Sequence, residues 1–141
     1  MDKDRVIRVL SGGATLPEEI NSEIEMLNIL NQGLPVEALA EIEHKGIVDE
    51  TEIKSFIAPR TLARRKSEKR LSPEESDLIA RIARIHDFAV EVFGNSPKAH
   101  KWLRTPNRAL NGHLPLGLLR SDYGARIVES ILGRIAHGIY S

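Results

Sequence analysis

The chain has 141 residues, with 20 basic side chains, 20 acidic side chains and no cysteine. At this length, and with 41% apolar residues, it can form one ordinary domain or two very small ones. The missing cysteines exclude disulfides, thiolate metal sites and a cysteine nucleophile. No apolar run is long enough to span a bilayer, and the first ten residues lack a signal-peptide pattern, so we expect a cytoplasmic protein that does not engage a membrane.

The neutral total hides an uneven distribution of charge along the chain. Residues 1–53 carry four basic and twelve acidic side chains, a net charge of −8. Residues 54–70 carry seven basic and one acidic, a net charge of +6, and residues 71–141 carry nine basic and seven acidic, a net charge of +2. Because such asymmetry concerns partners more than folding, residues 54–70 are the first candidate interaction surface.

The first predicted helix covers residues 17–30 and combines acidic residues with an apolar face. The apolar residues recur at helical spacing, and Gly33 follows as a stop signal. They are Ile20, Ile24, Leu27 and Leu30. This face is a candidate dimer surface, and the alternative is that it completes the core.

Three shorter helices are predicted next. Residues 35–46 begin with a proline suited to a first turn and end with a glycine suited to a C-terminal cap. Asp49 and Glu52 have the spacing of a capping box, which predicts a short helix over 50–56. After a break of three residues, the basic stretch predicts a helix from Pro59 to about Lys69.

The strongest helical signal lies between Ser72 and Gly94. Ser72 is suited to the N-cap, Pro73 to the first turn and Glu75 to the capping box, while Gly94 ends the run. Apolar residues repeat inside it at heptad-like spacing, namely Leu78, Ile82, Ile85, Ala89 and Val92. This pattern predicts one long helix.

The rest of the chain contains further helical segments and no convincing strand. Ser-Pro and Thr-Pro starts predict short helices at 96–103 and 105–110, and residues 114–119 predict another turn or two. The last helix, over 121–138, has an apolar stripe formed by Ile127, Val128, Ile131, Leu132 and Ile135. The predicted fold class is all-α.

The short helix over 50–56 and the basic helix after it have the layout of a helix-turn-helix. In that motif the second helix enters the DNA major groove and directs its N-terminal residues toward the base edges. Leu62 is then expected to point inward against Ile53. The candidate DNA-binding residues are Arg60, Thr61 and Arg64 for base or phosphate contact, and Arg65, Lys66, Lys69 and Arg70 for phosphate contact.

The same residues also fit a solvated basic helix that pairs with the acidic N-terminal segment. Short helix-turn-helix patterns are common by chance. In addition, the turn contains Phe56 and Ala58, where a glycine and a small capping residue are easier to explain. The pattern alone leaves both interpretations open.

The sequence contains no recognisable catalytic or metal site, and we expect no cofactor. Its five histidines lie in different segments and form no metal-ligand spacing. His86, beside Asp87 in the long predicted helix, is expected to have a packing or surface role. The stretch 11–15 lacks the lysine of a phosphate loop and no serine lies in a nucleophile elbow, so we expect that the protein is not an enzyme.

The C-terminal third carries a distinctive combination of spaced residues. They are Trp102, Leu103, Pro106, Asn107, Leu110, Gly112, Pro115, Leu116, Leu119, Gly124, Val128, Leu132, Ile135 and the closing Gly138, Ile139, Tyr140 and Ser141. Residues 60–85 and the pair Phe93 and Gly94 contribute further matching positions. Over roughly residues 33–141 the chain resembles the Xre/ParS/MbcA antitoxins, the partners of RES-domain toxins.

The resemblance implies an N-terminal helix-turn-helix domain at residues 1–70, followed by a small helical toxin-binding domain at residues 71–141. The first domain would bind operator DNA and repress its own operon. The second would bind a RES toxin, an enzyme that consumes NAD or transfers ADP-ribose from it, and obstruct its active site. The antitoxin itself would have no catalytic activity.

Within the second domain we assign toxin contact to Asn107, Arg126, Arg134, Ile139, Tyr140 and Ser141. Trp102 is expected to pack in the core, because a large aromatic side chain mostly contributes buried area. Our hypothesis for the last residues is a short plug, in which Tyr140 and the terminal carboxylate enter a cleft built for a dinucleotide. The alternative is a frayed tail without a role.

Two other functional classes compete with this interpretation. A plain transcriptional regulator would keep the helix-turn-helix and use its C-terminal region for dimerisation or sensing. A small helical enzyme is the third class, and the sequence offers no site for it. For an antitoxin or a regulator we expect a homodimer, because operator half-sites mirror a two-fold symmetric protein.

Overall fold

The structure is a computed structural model that describes residues 2–11 and 15–138. The described residues fold into helices joined by turns, with an isolated antiparallel bridge between Pro35 and Arg70. The predicted all-α class is confirmed. The chain divides into two compact units, Met1–Ala83 and Arg84–Ser141, whereas the sequence analysis placed a domain boundary after residue 70.

The first unit is built from short helices. They are α1 (Asp2–Leu10), α2 (Glu23–Gln32), α3 (Glu37–His44), α4 (Glu50–Phe56), α5 (Pro59–Glu68) and the first half of α6 (Pro73–Phe93). Helix α1 was not predicted. It packs against α2 and α3, and it buries Val6, Val9 and Leu10 on one face.

Helix α2 begins later than predicted, and its apolar residues lie on two faces. Ser22 caps it, since the hydroxyl accepts a hydrogen bond from the Glu25 N–H at 3.1 Å. Met26 and Leu30, four residues apart, face the core. Ile24 and Leu27 are 65% and 48% exposed, whereas Ile20 and Leu30 are buried, so the four residues predicted to share one face are divided between two.

Capping boxes begin α4 and α6 at the predicted residues. The Asp49 carboxylate accepts from the Glu52 N–H at 2.7 Å, and the Glu52 carboxylate accepts from the Asp49 N–H at 3.0 Å. Ser72 and Glu75 make the equivalent bonds at 3.1 and 2.9 Å. Each box satisfies two backbone donors that a helix start leaves free.

The link before α3 and the link before α6 are hydrogen-bonded to each other. The Leu71 N–H donates to the Leu34 carbonyl at 2.8 Å, and the Val36 N–H donates to the Lys69 carbonyl at 3.2 Å. Gly33 has φ +91°, and a Cβ there would collide with the Leu71 carbonyl, so glycine is required. These bonds hold the C-terminal end of α5 in place.

Ser76 strengthens the same junction from inside α6. Its hydroxyl is fully buried, accepts from the Leu34 N–H at 2.7 Å and donates to the Ser72 carbonyl at 2.8 Å. The apolar core beneath it includes Leu10, Leu34, Leu39, Ile42, Val48, Ile53, Leu62, Ile79 and Ile82. Each such side chain contributes about 1.5–3 kcal/mol by its burial.

The second unit contains the rest of α6, α7 (Ser96–Leu103), a 3₁₀ turn (Arg108–Leu110), α8 (Pro115–Leu118) and α9 (Asp122–Ala136). Its core includes Ile85, Ala89, Leu103, Leu119, Val128 and Leu132. The ring of Trp102 lies 5.5 Å from that of Phe93, in the packing role that was expected for it.

Helix α9 is held in the second unit by close backbone approach and by an ion pair. Ser121 caps it by accepting from the Gly124 N–H at 3.0 Å. At Gly124 a Cβ would overlap the Leu118 carbonyl, so the missing side chain lets α9 approach the end of α8. The Arg84 guanidinium binds the Glu129 carboxylate at 2.8 Å and thereby joins α6 to α9.

Candidate interaction surfaces

The turn between α4 and α5 is built without glycine. Ile57 has φ −128° and ψ 119°, and Ala58 has φ −56° and ψ 142°, which are conformations open to any residue. Pro59 favours extended backbone in Ala58, and at the start of α5 it lacks an N–H that would otherwise need a partner. Phe56 and Ala58 are therefore compatible with a helix-turn-helix.

The outward face of α5 carries two exposed arginines. Leu62 and Ile53 are both buried and border the same groove, as predicted, and this burial sets the rotation of α5. Arg60 and Arg64 lie one turn apart on the side of the helix opposite Leu62. Within the described part of the chain neither arginine forms an ion pair, so both guanidinium groups can meet an external anion.

Arg65 differs from these neighbours, because the fold occupies its guanidinium group. Its side chain is 17% exposed, and it donates to Glu75 at 2.6 Å and to Glu68 at 3.0 Å. Hydrogen bonds to Glu75 and then Glu68 raise the pKa of Arg65. Burial alone would raise the pKa of Glu75, but hydrogen bonds from Arg65 and Ser72 lower it. Arg65 thus joins α5 to the start of α6.

The other candidate DNA-binding residues also include both exposed side chains and a side chain that bonds within the fold. Lys66 is exposed, and Lys69 is exposed at the end of α5 with φ 66°. Thr61 is half-buried on the flank of the helix. The Arg70 guanidinium donates to the Gly33 carbonyl, so this side chain takes part in the junction between the two links.

A groove of about 510 Å³ lies between α5 and the pair α3 and α4. Its apolar floor is formed by Val36, Leu39, Ala40, Ile53 and Leu62, and its rim by Glu37, Glu43, Glu50, Lys54 and Lys66. Lys54 binds Glu50 at 2.9 Å. With three carboxylates at the rim, this side suits a phosphate backbone less well than the side of Arg60 and Arg64.

The second unit has a shallow groove along α9, which we name the α9 groove. It encloses about 430 Å³ and is lined by Ala109, Tyr123, Arg126, Ile127, Ser130, Ile131 and Arg134. Tyr123 is 77% exposed and Ile127 is 39% exposed. The structure therefore brings two of the predicted toxin contacts, Arg126 and Arg134, together with exposed apolar residues that the sequence analysis did not assign to a partner.

Asn107 has a role within the fold beside this groove. Its side chain accepts from the Ala109 N–H at 2.9 Å, and its carbonyl accepts from the Leu110 and Gly112 N–H groups at 3.0 and 2.9 Å. These bonds replace the short helix predicted at 105–110 by a 3₁₀ turn, and they place Ala109 at the groove. The predicted plug residues Ile139, Tyr140 and Ser141 lie outside the described residues.

His86 is buried, with 7% of its surface exposed, and its Nδ1 atom has no hydrogen-bond partner among the described residues. Burial and, to a smaller extent, Arg104 lower the pKa of His86 from 6.5 to about 4, while Asp87 opposes the shift. The imidazole is therefore neutral near pH 7, in keeping with the packing role.

The described residues contain neither a candidate metal site nor a membrane-spanning helix. Over residues 2–11 and 15–138, histidine and carboxylate side chains form no group of three that could hold a metal ion. None of the described helices combines the length and apolar character that a membrane span requires.

Two family models match the chain, one in each half. The antitoxin Xre-like helix-turn-helix domain matches residues 26–84, from α2 to the middle of α6. The antitoxin Xre/MbcA/ParS C-terminal toxin-binding domain matches residues 88–138, which include the α9 groove. The predicted order of a helix-turn-helix domain and a toxin-binding domain is therefore confirmed.

Whole-chain relatives agree with both models. The chain is 34% identical to Antitoxin Xre of Yersinia enterocolitica, over 82% of this chain and 81% of that protein. It is 38% identical to Antitoxin Xre of Photorhabdus laumondii, over 80% and 79%, and 31% identical to that of Pseudomonas putida, over 85% and 76%. With matches of this extent in both halves, the chain belongs to the Xre family of antitoxins.

Proposed function

We propose that this antitoxin neutralises a RES-domain toxin and represses its own operon by binding operator DNA as a homodimer. The observation that carries the proposal is the presence, in one chain, of a helix-turn-helix with outward arginines and of a separate domain that matches the toxin-binding model. We assign DNA binding to the first compact unit and toxin binding to the second. Antitoxins are not generally catalytic, and obstruction of an active site requires no chemistry from this chain.

In the proposed complex with DNA, α5 lies in the major groove. Arg60, Thr61 and Arg64 face base edges or phosphates, while Lys69 meets the phosphate backbone. Lys66, at the rim of the groove with three carboxylates, is the least favourably placed of the proposed phosphate contacts. Arg65 acts differently from the sequence expectation, because its ion pairs with Glu75 and Glu68 orient α5 relative to α6. The exposed arginines supply affinity for DNA, and half-buried Arg65 supports the orientation of α5.

In the proposed complex with the toxin, the second unit covers the active site. The closing residues Ile139, Tyr140 and Ser141 enter the cleft, where the ring of Tyr140 takes the place of an aromatic part of the dinucleotide. Arg126 and Arg134 contact the toxin surface, and Asn107 contributes through the loop that it shapes. Inhibition then requires one antitoxin domain for each blocked cleft.

Growth rescue tests the toxin assignment. The product of the adjacent gene is expressed from a tight promoter, together with the intact chain or with residues 1–137, and cellular NAD is followed. We expect the intact chain alone to restore growth and NAD. Equal rescue by both forms would move inhibition from the last residues to the folded surface, and a harmless adjacent product would leave a transcriptional regulator.

Mobility shift of the upstream DNA tests the repressor assignment. We expect Arg64→Ala to weaken DNA binding. The slope of log K against log salt concentration should fall in magnitude by about one, as is usual when one phosphate contact is lost. Lys98→Ala, which removes an exposed cation of the second unit, is the matched control and should leave DNA binding unchanged. Equal affinities of the two variants would contradict the placement of α5 on DNA.

The proposed homodimer uses the exposed face of α2. Ile24 and Leu27 lie on adjacent turns with large exposed fractions, and apolar side chains in such a position favour association. Sedimentation of the double variant Ile24→Glu and Leu27→Glu should show a monomer where the intact chain is a dimer. A dimer that survives both changes would assign the contact to another surface.

A further inference from the structure

We propose that the α9 groove is the docking site for an acidic segment of the toxin that inserts an apolar side chain between Tyr123 and Ile127. The proposal rests on the proposed function, because it names the contact surface of the same antitoxin. It shifts the centre of the interface from the predicted arginines to two residues to which the sequence analysis gave no partner role.

Two large apolar side chains of α9 are exposed beside a concave surface. Tyr123 and Ile127 are four residues apart on α9, so they share one face of the helix. Both border the groove, and their exposed fractions of 77% and 39% leave much apolar surface in water. Clustered exposure of this kind marks interaction sites, and tyrosine and arginine are enriched among residues that dominate binding energy.

Two arginines place positive charge around the α9 groove. Arg126 and Arg134 lie two turns apart on the same lining. Arg126 binds Asp122 at 2.9 Å, but the two side chains are 74% and 58% exposed, so this pair is weak and its guanidinium can be recruited by a partner. An acidic segment of the toxin would complement both arginines.

The charge of the whole unit selects among possible occupants. Residues 84–141 carry eight basic and four acidic side chains, a net charge of +4. A second copy of this chain would bring the same positive surface against itself, which opposes self-association through the groove. Nucleic acid would satisfy the arginines but would leave Ile127 without an apolar partner, so an acidic protein surface fits both features.

The helix that forms the α9 groove is firmly packed in the second unit. The side of α9 opposite the groove is packed through Val128 and Leu132, which are fully buried. The close approach at Gly124 and the Ser121 cap fix the start of the helix. A partner therefore meets side chains that are already positioned, which lowers the entropic cost of association.

Titration of the purified adjacent-gene product against full-length variants tests the proposal. We expect Tyr123→Ala and Ile127→Ala each to weaken binding by about tenfold or more, as is usual for central interface residues. Leu114→Ala is the matched control, because Leu114 is 41% exposed in the same unit and lies outside the groove. Arg134→Glu should also weaken binding, and thermal melts of all variants check that they fold.

Each outcome bears on the proposal. Weakening by the groove variants with an unchanged Leu114 control supports it. Unchanged affinity of the Tyr123→Ala and Ile127→Ala double variant overturns it, while the proposed function survives if the intact chain still binds. If the groove variants keep their affinity for the toxin but lose self-association, the groove binds a second copy of this chain and the proposal is overturned. If they keep it but lose DNA binding, the groove binds nucleic acid and the proposal is likewise overturned. An intact chain that does not bind the adjacent product would overturn both.

Discussion

The net charges of the two units are the opposite of what their proposed partners would suggest, since the unit proposed to bind DNA is negative and the other is positive. Residues 1–83 carry twelve basic and sixteen acidic side chains, a net charge of −4, yet they contain the helix proposed to bind DNA. Residues 84–141 have a net charge of +4, yet they match a protein-binding domain. Because salt screens charges beyond about 10 Å, the side chains that share a face matter more than the sum over a unit.

A smaller comparison, between Arg64 and Arg65, shows the same principle. These adjacent arginines point to different sides of α5, since successive residues of a helix are rotated by about 100°. Arg64 projects into solvent, whereas Arg65 lies against Glu75 and Glu68. Within one turn of α5, Arg64 is therefore available to an external partner, whereas Arg65 stabilises the fold.

The largest expected effect falls on the second unit and concerns two glycines of α9. Gly124→Ala should destabilise the second unit by about 3 kcal/mol, because its Cβ would press on the rigid Leu118 carbonyl. Gly133→Ala, where a Cβ meets nothing within 4 Å, should stabilise the helix by about 1 kcal/mol. Denaturant titration followed by Trp102 fluorescence measures both. A small loss in Gly124→Ala would contradict the close approach of α9 to α8.

The next effect concerns pH and again falls on the second unit. The pKa of His86 is lowered to about 4 in the folded chain, so the unfolded chain binds a proton first as the pH falls below 6.5. Between pH 7 and pH 5 the free energy of unfolding should drop by about 2 kcal/mol from this group. The stability contributed by neutral His86 is therefore present above pH 6.5 and is lost as the pH falls toward 4.

Fluorescence-monitored unfolding at each pH measures this loss. The variant His86→Gln should show a flatter dependence on pH, whatever its stability at pH 7. A pH dependence that His86→Gln leaves unchanged would assign the titration to other groups.

The comparison of Arg64 with Arg65 predicts opposite consequences for two neighbouring substitutions. Arg65→Ala should lower the melting temperature of the first unit, because Glu75 loses its principal charged partner inside a capping box. Arg64→Ala should leave the melting temperature unchanged and weaken DNA binding by about tenfold at low salt. Calorimetry and mobility shift on both variants provide the measurement. Similar melting temperatures of the two variants would argue against a stabilising role for Arg65.

The smallest expected effect tests the cap that begins the helix-turn-helix. Asp49→Ala should cost about 1 kcal/mol, since both hydrogen bonds of the capping box depend on this residue or its geometry. Asp49→Asn retains a side-chain acceptor and should be close to the intact chain. Thermal unfolding followed by circular dichroism distinguishes them. A large loss in the asparagine variant would point to a role for the negative charge.

The starts of α4, α5 and α6 were the most predictable part of the fold, whereas the start of α2 was predicted too early. The caps at Asp49 and Ser72 and the proline at the start of α5 act on backbone groups within four residues, so their effect can be recognised in the sequence. The same local signals placed the helix-turn-helix. Helix α1 was missed because it has no capping signal of this kind and depends on packing against α2 and α3.

The candidate surfaces were predictable only in part. Arg126 and Arg134 were assigned to toxin contact and line one groove in the structure, whereas periodicity put Ile127 in an apolar stripe and passed over Tyr123. For Ile24 and Leu27, helical spacing likewise did not reveal which of two apolar faces is buried. That choice depends on the elements that surround a helix, which a single helical pattern does not encode.

The amino-acid sequence by itself determined the all-α class, the capped helix starts, the helix-turn-helix layout and the family. Only the tertiary structure decided which polar side chains act inside the fold. Ser76 and Leu34 are 42 residues apart, Arg84 and Glu129 are 45 apart, and Arg65 meets Glu75 across a turn. How the helices pack determines which residues become partners at such distances. The sequence alone therefore does not show which basic residues of α5 are available to DNA and which form ion pairs within the fold.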